Sequence, residues 1–221
     1  MPSETEDLVQ CLLDRRGTLF SAELGINLAR NTPSPLFRWL CAALLMSARI
    51  SYRTALDAAR ALSDAGWTTA DHMAESAWED RVRVLNRAGY ARFDERTATM
   101  LGDTANRVLS DYGGDLRKLR AKAGENPDAA RARLKAFKGI GGVGADIFLR
   151  EVQSVWPEHF PFFDRKARKA ARRLGLQDTP EALVDMVGRD RFPRLIAALV
   201  RADLDGLGVD DLLAPAREAR P

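Results

Sequence analysis

The chain has 221 residues, is 46% hydrophobic and carries a net charge of +3. That is enough apolar material for one substantial globular unit or two modest lobes, and it excludes disorder of the whole. No run reaches the roughly 18 consecutive apolar residues of a membrane span, and the opening MPSETEDLVQCLLDRRG is acidic where a secretory signal is basic, so the expected location is the cytosol, at the nucleoid if the source is prokaryotic.

In chain order nearly every long segment has helical periodicity, and none alternates as a strand does, so the predicted class is all-α. SPLFRWLCAALLMSA is predicted to begin at Ser34 as cap with Pro35 in first position, and it is apolar almost all round, as a buried central helix should be. SYRTALDAARALSDAG begins at Ser51 and stops at Gly66, and SAWEDRVRVLNRAG begins near Ser76 and stops at Gly89. A long amphipathic helix then ends at Gly113 and Gly114, DLRKLRAKAG gives a short one, and NPDAARARLKAF starts with Asn126 as cap and Pro127 in first position. Beyond a glycine cluster, Val143, Ile147, Val152 and Trp156 define an expected buried stripe. DRKARKAARRLGL, TPEALVDMVGR and RFPRLIAALVRADL supply the last helices, and the tail 206–221 is expected to be loosely attached. Cys11 and Cys41 lie in apolar helical patterns and, with His72 and His159 at no ligand spacing, offer neither a zinc site nor a disulfide framework, so no metal is expected.

The charge is unevenly spread. Arg131 to Arg173 holds eleven Lys/Arg against four Asp/Glu, a balance of +7 that leaves −4 for the rest. A patch of this sign suits a polyanion, nucleic acid first, although a solvated helix face reads the same way. Inside it lies KGIGGVGAD, Lys138 to Asp146. Gly139 to Gly144 has Walker-loop spacing but is followed by Ala145 and Asp146, which removes the phosphate-binding lysine and the magnesium-binding hydroxyl. The formal G-x-G-x-x-G from Gly139 needs a preceding strand, and what precedes it is helical. Helix, tight Gly139-Ile140-Gly141 hairpin, helix fits better: the glycines permit positive φ, Ile140 tucks between the helices, and the first amides of the second helix face a phosphate. A purely structural corner remains the alternative.

At this point the chain resembles the helix-hairpin-helix DNA glycosylases, the endonuclease III superfamily. FKGIGGVGADIFL is similar to their Leu-Pro-Gly-Val-Gly-x-Lys-Thr-Ala hairpin; FPFFDRKARKAARRLGL sits where the family has Val-Asp-Thr-His and an Arg-Leu-Gly helix; LLMSARISYRTALDAARAL and AGYARFDERTATML resemble two upstream segments in the correct order. The resemblance implies a two-lobed fold with a cleft between a six-helix barrel, residues 36–157 with the hairpin motif at 128–155, and a second lobe from residues 1–35 and 158–205. It implies a monomer that binds double-stranded DNA in base excision repair and removes a damaged or mismatched base by hydrolysing its N-glycosidic bond.

On the matching positions Asp164 is the candidate catalytic residue, since a fixed carboxylate stabilises positive charge building on the sugar. It is equally a helix N-cap, and one oxygen can cap while the other faces the sugar. Val143 stands where members with lyase activity carry a nucleophilic lysine, so the likeness is to members that rely on aspartate and water. The four cysteines of the family's iron–sulfur cluster are absent, and no cofactor is expected. Arg165 and Lys166 replace the usual threonine and histidine, which leaves a catalytically inactive DNA-binding protein as the alternative. The candidate DNA-binding residues are Lys138, Gly139, Ile140, Gly141, Gly142, Val143 and Gly144 of the hairpin; Arg165, Arg168 and Lys169, with Arg172, on one face of the basic helix; and Arg49. Arg49 stands at the family's duplex-filling glutamine, or answers the dipole of a helix C-terminus. Phe162 and Phe163 are candidates for a base pocket or for core, and Tyr52, Tyr90 and Phe93 are left unranked.

Overall fold

The structure, a computed structural model, describes residues 4–218, with side chains to residue 214. Among these residues there is no β-strand, and no helix is long and apolar enough to cross a membrane. The helices are α1 (Glu4–Arg16), α2 (Phe20–Glu23), α3 (Pro33–Met46), α4 (Tyr52–Asp64), α5 (Ala70–Glu75), α6 (Trp78–Arg87) and α7 (Asp94–Tyr112). They continue with α8 (Leu116–Lys122), α9 (Pro127–Lys135), α10 (Gly141–Val152), α11 (Arg165–Arg173), α12 (Pro180–Val187), α13 (Phe192–Leu204) and α14 (Val209–Glu218). Leu24–Leu149 form one compact unit, and the described residues up to Glu23 and from Arg150 onward form the other.

In the Leu24–Leu149 unit α3 is the central rod, buried from Leu36 to Leu45 except at Arg38. It begins earlier than its composition suggests. Thr32 is extended and Pro33 takes the first position, while the Ser34 hydroxyl, expected as a cap, donates instead to the Thr68 carbonyl at 2.8 Å. Where the local signal is a single side chain accepting from a helix amide, the starts fall as expected: Ser51 caps α4 and Asn126 caps α9, with Pro127 at the first helical turn, and Asp115 caps the short α8, for which the sequence reading assigns no cap. Thr69 caps the short α5, which the sequence reading passes over. Arg38 donates to the Leu24 and Gly25 carbonyls, and Leu24, Ile26 and Leu28 are buried, so residues 24–30 belong with α3.

A buried arginine organises the α5–α7 side of this unit. Arg81 donates through Nε to the Ala98 carbonyl at 3.0 Å and through Nη1 to the carbonyls of Met73 and Ser76 and the Ser76 hydroxyl at 3.1, 2.6 and 2.8 Å. Its guanidinium fills the space over Gly102 in α7, where a Cβ would come within 2.8 Å of Nη2.

In the other unit α13 is the most buried element, with α1, α11 and α12 against it and α14 against α1. Arg201 donates to Glu23 and to the Thr18 carbonyl, Arg194 to the Gly17 carbonyl, and Arg16 pairs with Asp205. Glu151 lies fully buried and accepts from the amides of Phe20 and Ser21 at 2.7 and 2.9 Å, closing the open start of α2. These anchors place residues 150–157 here, so the boundaries expected at 35/36 and 157/158 fall at 23/24 and 149/150. The expected loose tail is a helix from Val209 that buries Leu212 and Leu213, with the Cys11 thiol donating to the Leu212 carbonyl at 2.9 Å; residues 219–221 of that tail lie outside the described residues.

Two outcomes follow from these buried groups. Arg81→Met removes a donor from the Ala98, Met73 and Ser76 carbonyls, of which Met73 is still served by the Ser76 hydroxyl, and is expected to cost on the order of 3 kcal/mol in chemical denaturation. Burial raises the Glu151 carboxyl above its ordinary pKa, against the pull of the Ser21 and Phe20 contacts and Arg150. The folded state therefore holds this proton more tightly than the unfolded chain. The stabilisation is full below the ordinary carboxylate range and is lost as pH rises through the elevated folded pKa. Urea midpoints measured from about pH 4 upward should fall more steeply for the wild type than for Glu151→Gln.

Candidate nucleic-acid interface

The glycine cluster forms a hairpin between α9 and α10. Gly139 has φ +91° and Gly141 has φ +45°, both in the region that glycine tolerates, and between them Ile140 is fully buried. The turn closes through the Ile140 amide, which donates to the Phe137 carbonyl at 3.1 Å; Phe137 is buried as well. Gly144 has a different reason: a Cβ there would press within 3.2 Å of the Ile140 side chain. Just after α3 the Ser47 hydroxyl donates to the Gly139 carbonyl at 3.3 Å, and Arg131 of α9 holds Asp146 of α10 at 2.8 Å.

The start of α10 is left open. No acidic residue lies in its first turn, and among the described residues no side chain accepts a hydrogen bond from the amides of Gly142, Val143 or Gly144. Side-chain oxygens cap α4, α5, α8, α9 and α11, whereas α3, α6, α7, α12 and α13, like α10, have no side-chain cap; α10 is set apart by the glycines that leave its first turn bare. An uncapped first turn at the surface presents N–H donors and the positive end of the helix dipole, which together receive an anion. Val143, expected in the buried stripe with Ile147, Val152 and Trp156, is 62% exposed: the helix turns it outward beside these amides, while the other three are buried. Lys138 is exposed and pairs with Asp103 at 3.1 Å.

Asp164 caps α11. Its Oδ1 accepts from the amides of Lys166 and Ala167 at 2.7 and 2.9 Å. Its Oδ2, which the resemblance would turn toward a sugar, accepts from Nε and Nη2 of Arg150 at 2.7 and 2.6 Å. The side chains of the pair are 2% and 4% exposed. Gln153 fixes the approach to this cap, accepting from the Phe162 amide at 2.8 Å and donating to the Phe162 and Arg150 carbonyls at 3.2 and 2.7 Å. Arg150 as partner is what sequence reasoning missed. It precedes Asp164 by fourteen positions on another helix, and its local pattern is that of an ordinary helix residue.

Beyond the cap α11 buries Ala167, Ala170 and Ala171 and turns its cations outward. Several of these are already paired: Lys166 and Arg173 with Asp203 at 3.1 and 3.7 Å, and Arg172 with Asp178. Arg172 is thereby partly neutralised, and Arg165, Arg168 and Lys169 remain without a carboxylate partner among the described residues. Arg168 lies 5.6 Å over the half-buried Phe163 ring, which holds its charge at the surface. Arg49, exposed in the turn after α3, makes no hydrogen bond to the end of that helix, whose last carbonyls are served by Ser47, Ala48 and the Tyr90 hydroxyl.

Two sets of anion-binding groups result, each within one unit: hairpin amides with Arg49 in the first, and Arg165, Arg168 and Lys169 in the second. Among the described residues no group of three His, Cys, Asp or Glu side chains is placed to hold a metal ion. Comparison of the chain with protein-family models, with curated proteins and with solved structures finds no match.

The Arg150–Asp164 pair makes a sharp stability prediction. Arg150→Leu alone leaves a buried carboxylate, and Asp164→Asn alone a buried guanidinium, so each single change should cost about 3–5 kcal/mol. The double variant, which keeps a capping oxygen and removes both charges, should recover much of that loss in a denaturation cycle.

Proposed function

We propose that this chain is a helix-hairpin-helix protein that holds double-stranded DNA by its phosphates, with Asp164 serving the basic helix rather than the hydrolysis of a glycosidic bond. The observation that carries the reading is the uncapped first turn of α10 behind a Gly139-Ile140-Gly141 hairpin, where glycines let a phosphate oxygen approach the backbone amides. Arg165, Arg168 and Lys169 add charge of the right sign with no internal partner to neutralise it. Contacts of this kind give affinity that falls with salt and carry no sequence choice. Glycosidic hydrolysis, which the resemblance also implies, needs a carboxylate oxygen against the sugar. Both oxygens of Asp164 are engaged within the protein, one by helix amides and one by Arg150.

Gly142→Asp tests the hairpin directly. A Cβ at this position meets only the Arg131 Nη2 at 3.5 Å, so the fold should tolerate it, while the added carboxylate occupies the anion site. Duplex affinity by fluorescence anisotropy should fall about tenfold or more, with the salt slope shallower by about one; unchanged affinity would remove the hairpin from the interface. A companion screen uses duplexes carrying uracil, mismatched adenine, oxidised purine or alkylated purine, developed with alkali. No product is expected, and product that disappears in Asp164→Asn would establish hydrolysis instead.

A further inference from the structure

Within the Leu24–Leu149 unit the ends of α7 and α8 and the length of α9 enclose an open hollow of about 680 Å³. Ala129, Ala132 and Ala136 fall three and four positions apart along α9, which puts them on one face as the floor. Arg107, Lys122 and Arg133 stand around that floor, against a single carboxylate, Asp111.

Each cation is held by a backbone carbonyl. Lys122 Nζ donates to the Asp111 carbonyl at 2.6 Å and lies 5.5 Å from the centre of the buried Tyr112 ring, and Arg133 Nη2 donates to the Lys122 carbonyl at 2.9 Å. Arg107 Nη1 donates to the Ala136 carbonyl, and its guanidinium lies over the Phe137 ring. These carbonyls belong to helix ends, which cations commonly satisfy. One N–H per cation is enough for that role, and the cations outnumber the carboxylates. Asp111 is shared between Arg107, at 3.1 Å, and the Ser110 hydroxyl, at 2.9 Å. Lys122 and Arg133 have no carboxylate partner among the described residues, so three cations against one carboxylate leave an excess of two positive charges in the lining.

The same lining limits what can be recognised. Tyr112 and Phe137 are buried beneath cations, so neither offers a ring face to a base, and alanine methyls form no channel for a long apolar group. What the hollow offers is charge and N–H donors fixed at three points, in a volume within the roughly 300–1,000 Å³ of small-molecule pockets. Guanidinium groups and an ammonium fixed in this way match phosphate oxygens, and the excess charge suits more than one phosphate. We propose that this hollow binds a small ligand carrying two or three linked phosphate groups. The site does not rest on the DNA-binding reading.

The test is isothermal titration of the full chain with sodium tripolyphosphate at low salt, with sodium orthophosphate at matched ionic strength for comparison. Tripolyphosphate is expected to bind at one dominant site, about tenfold or more tightly than orthophosphate, with affinity that falls as salt rises. Ala132 is exposed, so Ala132→Glu keeps a good helix former while placing a carboxylate on the floor. It should weaken tripolyphosphate about tenfold or more, whereas the uncharged Ala132→Gln should retain most of the affinity, and Lys122→Gln with Arg133→Gln should match the loss. No binding of tripolyphosphate, or binding that survives Ala132→Glu, would overturn the site. Binding removed by Gly142→Asp would overturn it as well, by moving the anion to the hairpin amides. Duplex affinity of Ala132→Glu, measured in parallel, should stay within about threefold of the wild type; a loss of about tenfold would make the hollow part of the duplex interface and refute a small-ligand site. Absence of duplex binding by the wild type, with tripolyphosphate binding as described, would overturn the DNA-binding reading and support this one.

Discussion

The buried pair of Arg150 and Asp164 is the interaction on which the functional account turns. A carboxylate that caps a helix needs only one oxygen for the task, and a second oxygen left to solvent would be a reagent. Here the second oxygen is held by two guanidinium nitrogens in a pocket that is almost closed to water. A pair of this kind is costly to desolvate, and here each carboxylate oxygen receives two donors, Oδ1 from the amides of Lys166 and Ala167 and Oδ2 from Arg150. Gln153 completes the arrangement by fixing the backbone just ahead of the cap. The result is an N-terminus for α11 that is set firmly, followed by a helix whose apolar residues are alanines facing in and whose charges all face out.

The two ends of this logic meet in how helix starts are treated. At α11 an internal carboxylate and its own counterion satisfy the first amides. At α10 nothing internal does so, and glycines keep the first turn bare so that backbone can be approached closely. One helix start is thus closed by the protein's own side chains and the other is left without an internal acceptor. Surplus charge follows the same division. Lys166, Arg172 and Arg173 are matched by Asp203 and Asp178, while Arg165, Arg168 and Lys169 are not. The cations left without an internal counterion on α11 are therefore fewer than the composition of residues 131–173 suggests.

How much was legible in the sequence depended on the range of each signal. Caps act over three residues, so Ser51, Asn126 and Asp164 and the glycine stop at Gly113 could be read directly, and with them the all-helical class. The hairpin was legible because its glycines and Ile140 are contiguous. Partners far apart in sequence were not. Arg150 and Arg81 read as ordinary charged helix positions, yet each is buried by contacts that only the tertiary fold supplies. Val143 erred the other way: apolar and in phase with the stripe, it is exposed because the first turn of α10 lies at the surface. The tail was misread because Leu212 and Leu213 find cover on α1, a helix some two hundred positions earlier.

The salt dependence of binding to an undamaged duplex tests the central claim most directly. Titrations of the wild-type protein at several salt concentrations should give a log–log slope of about −3 or steeper, as expected when Arg165, Arg168 and Lys169 each neutralise a phosphate. Binding that is absent at low salt, or that does not change with salt, would contradict a phosphate-reading hairpin protein.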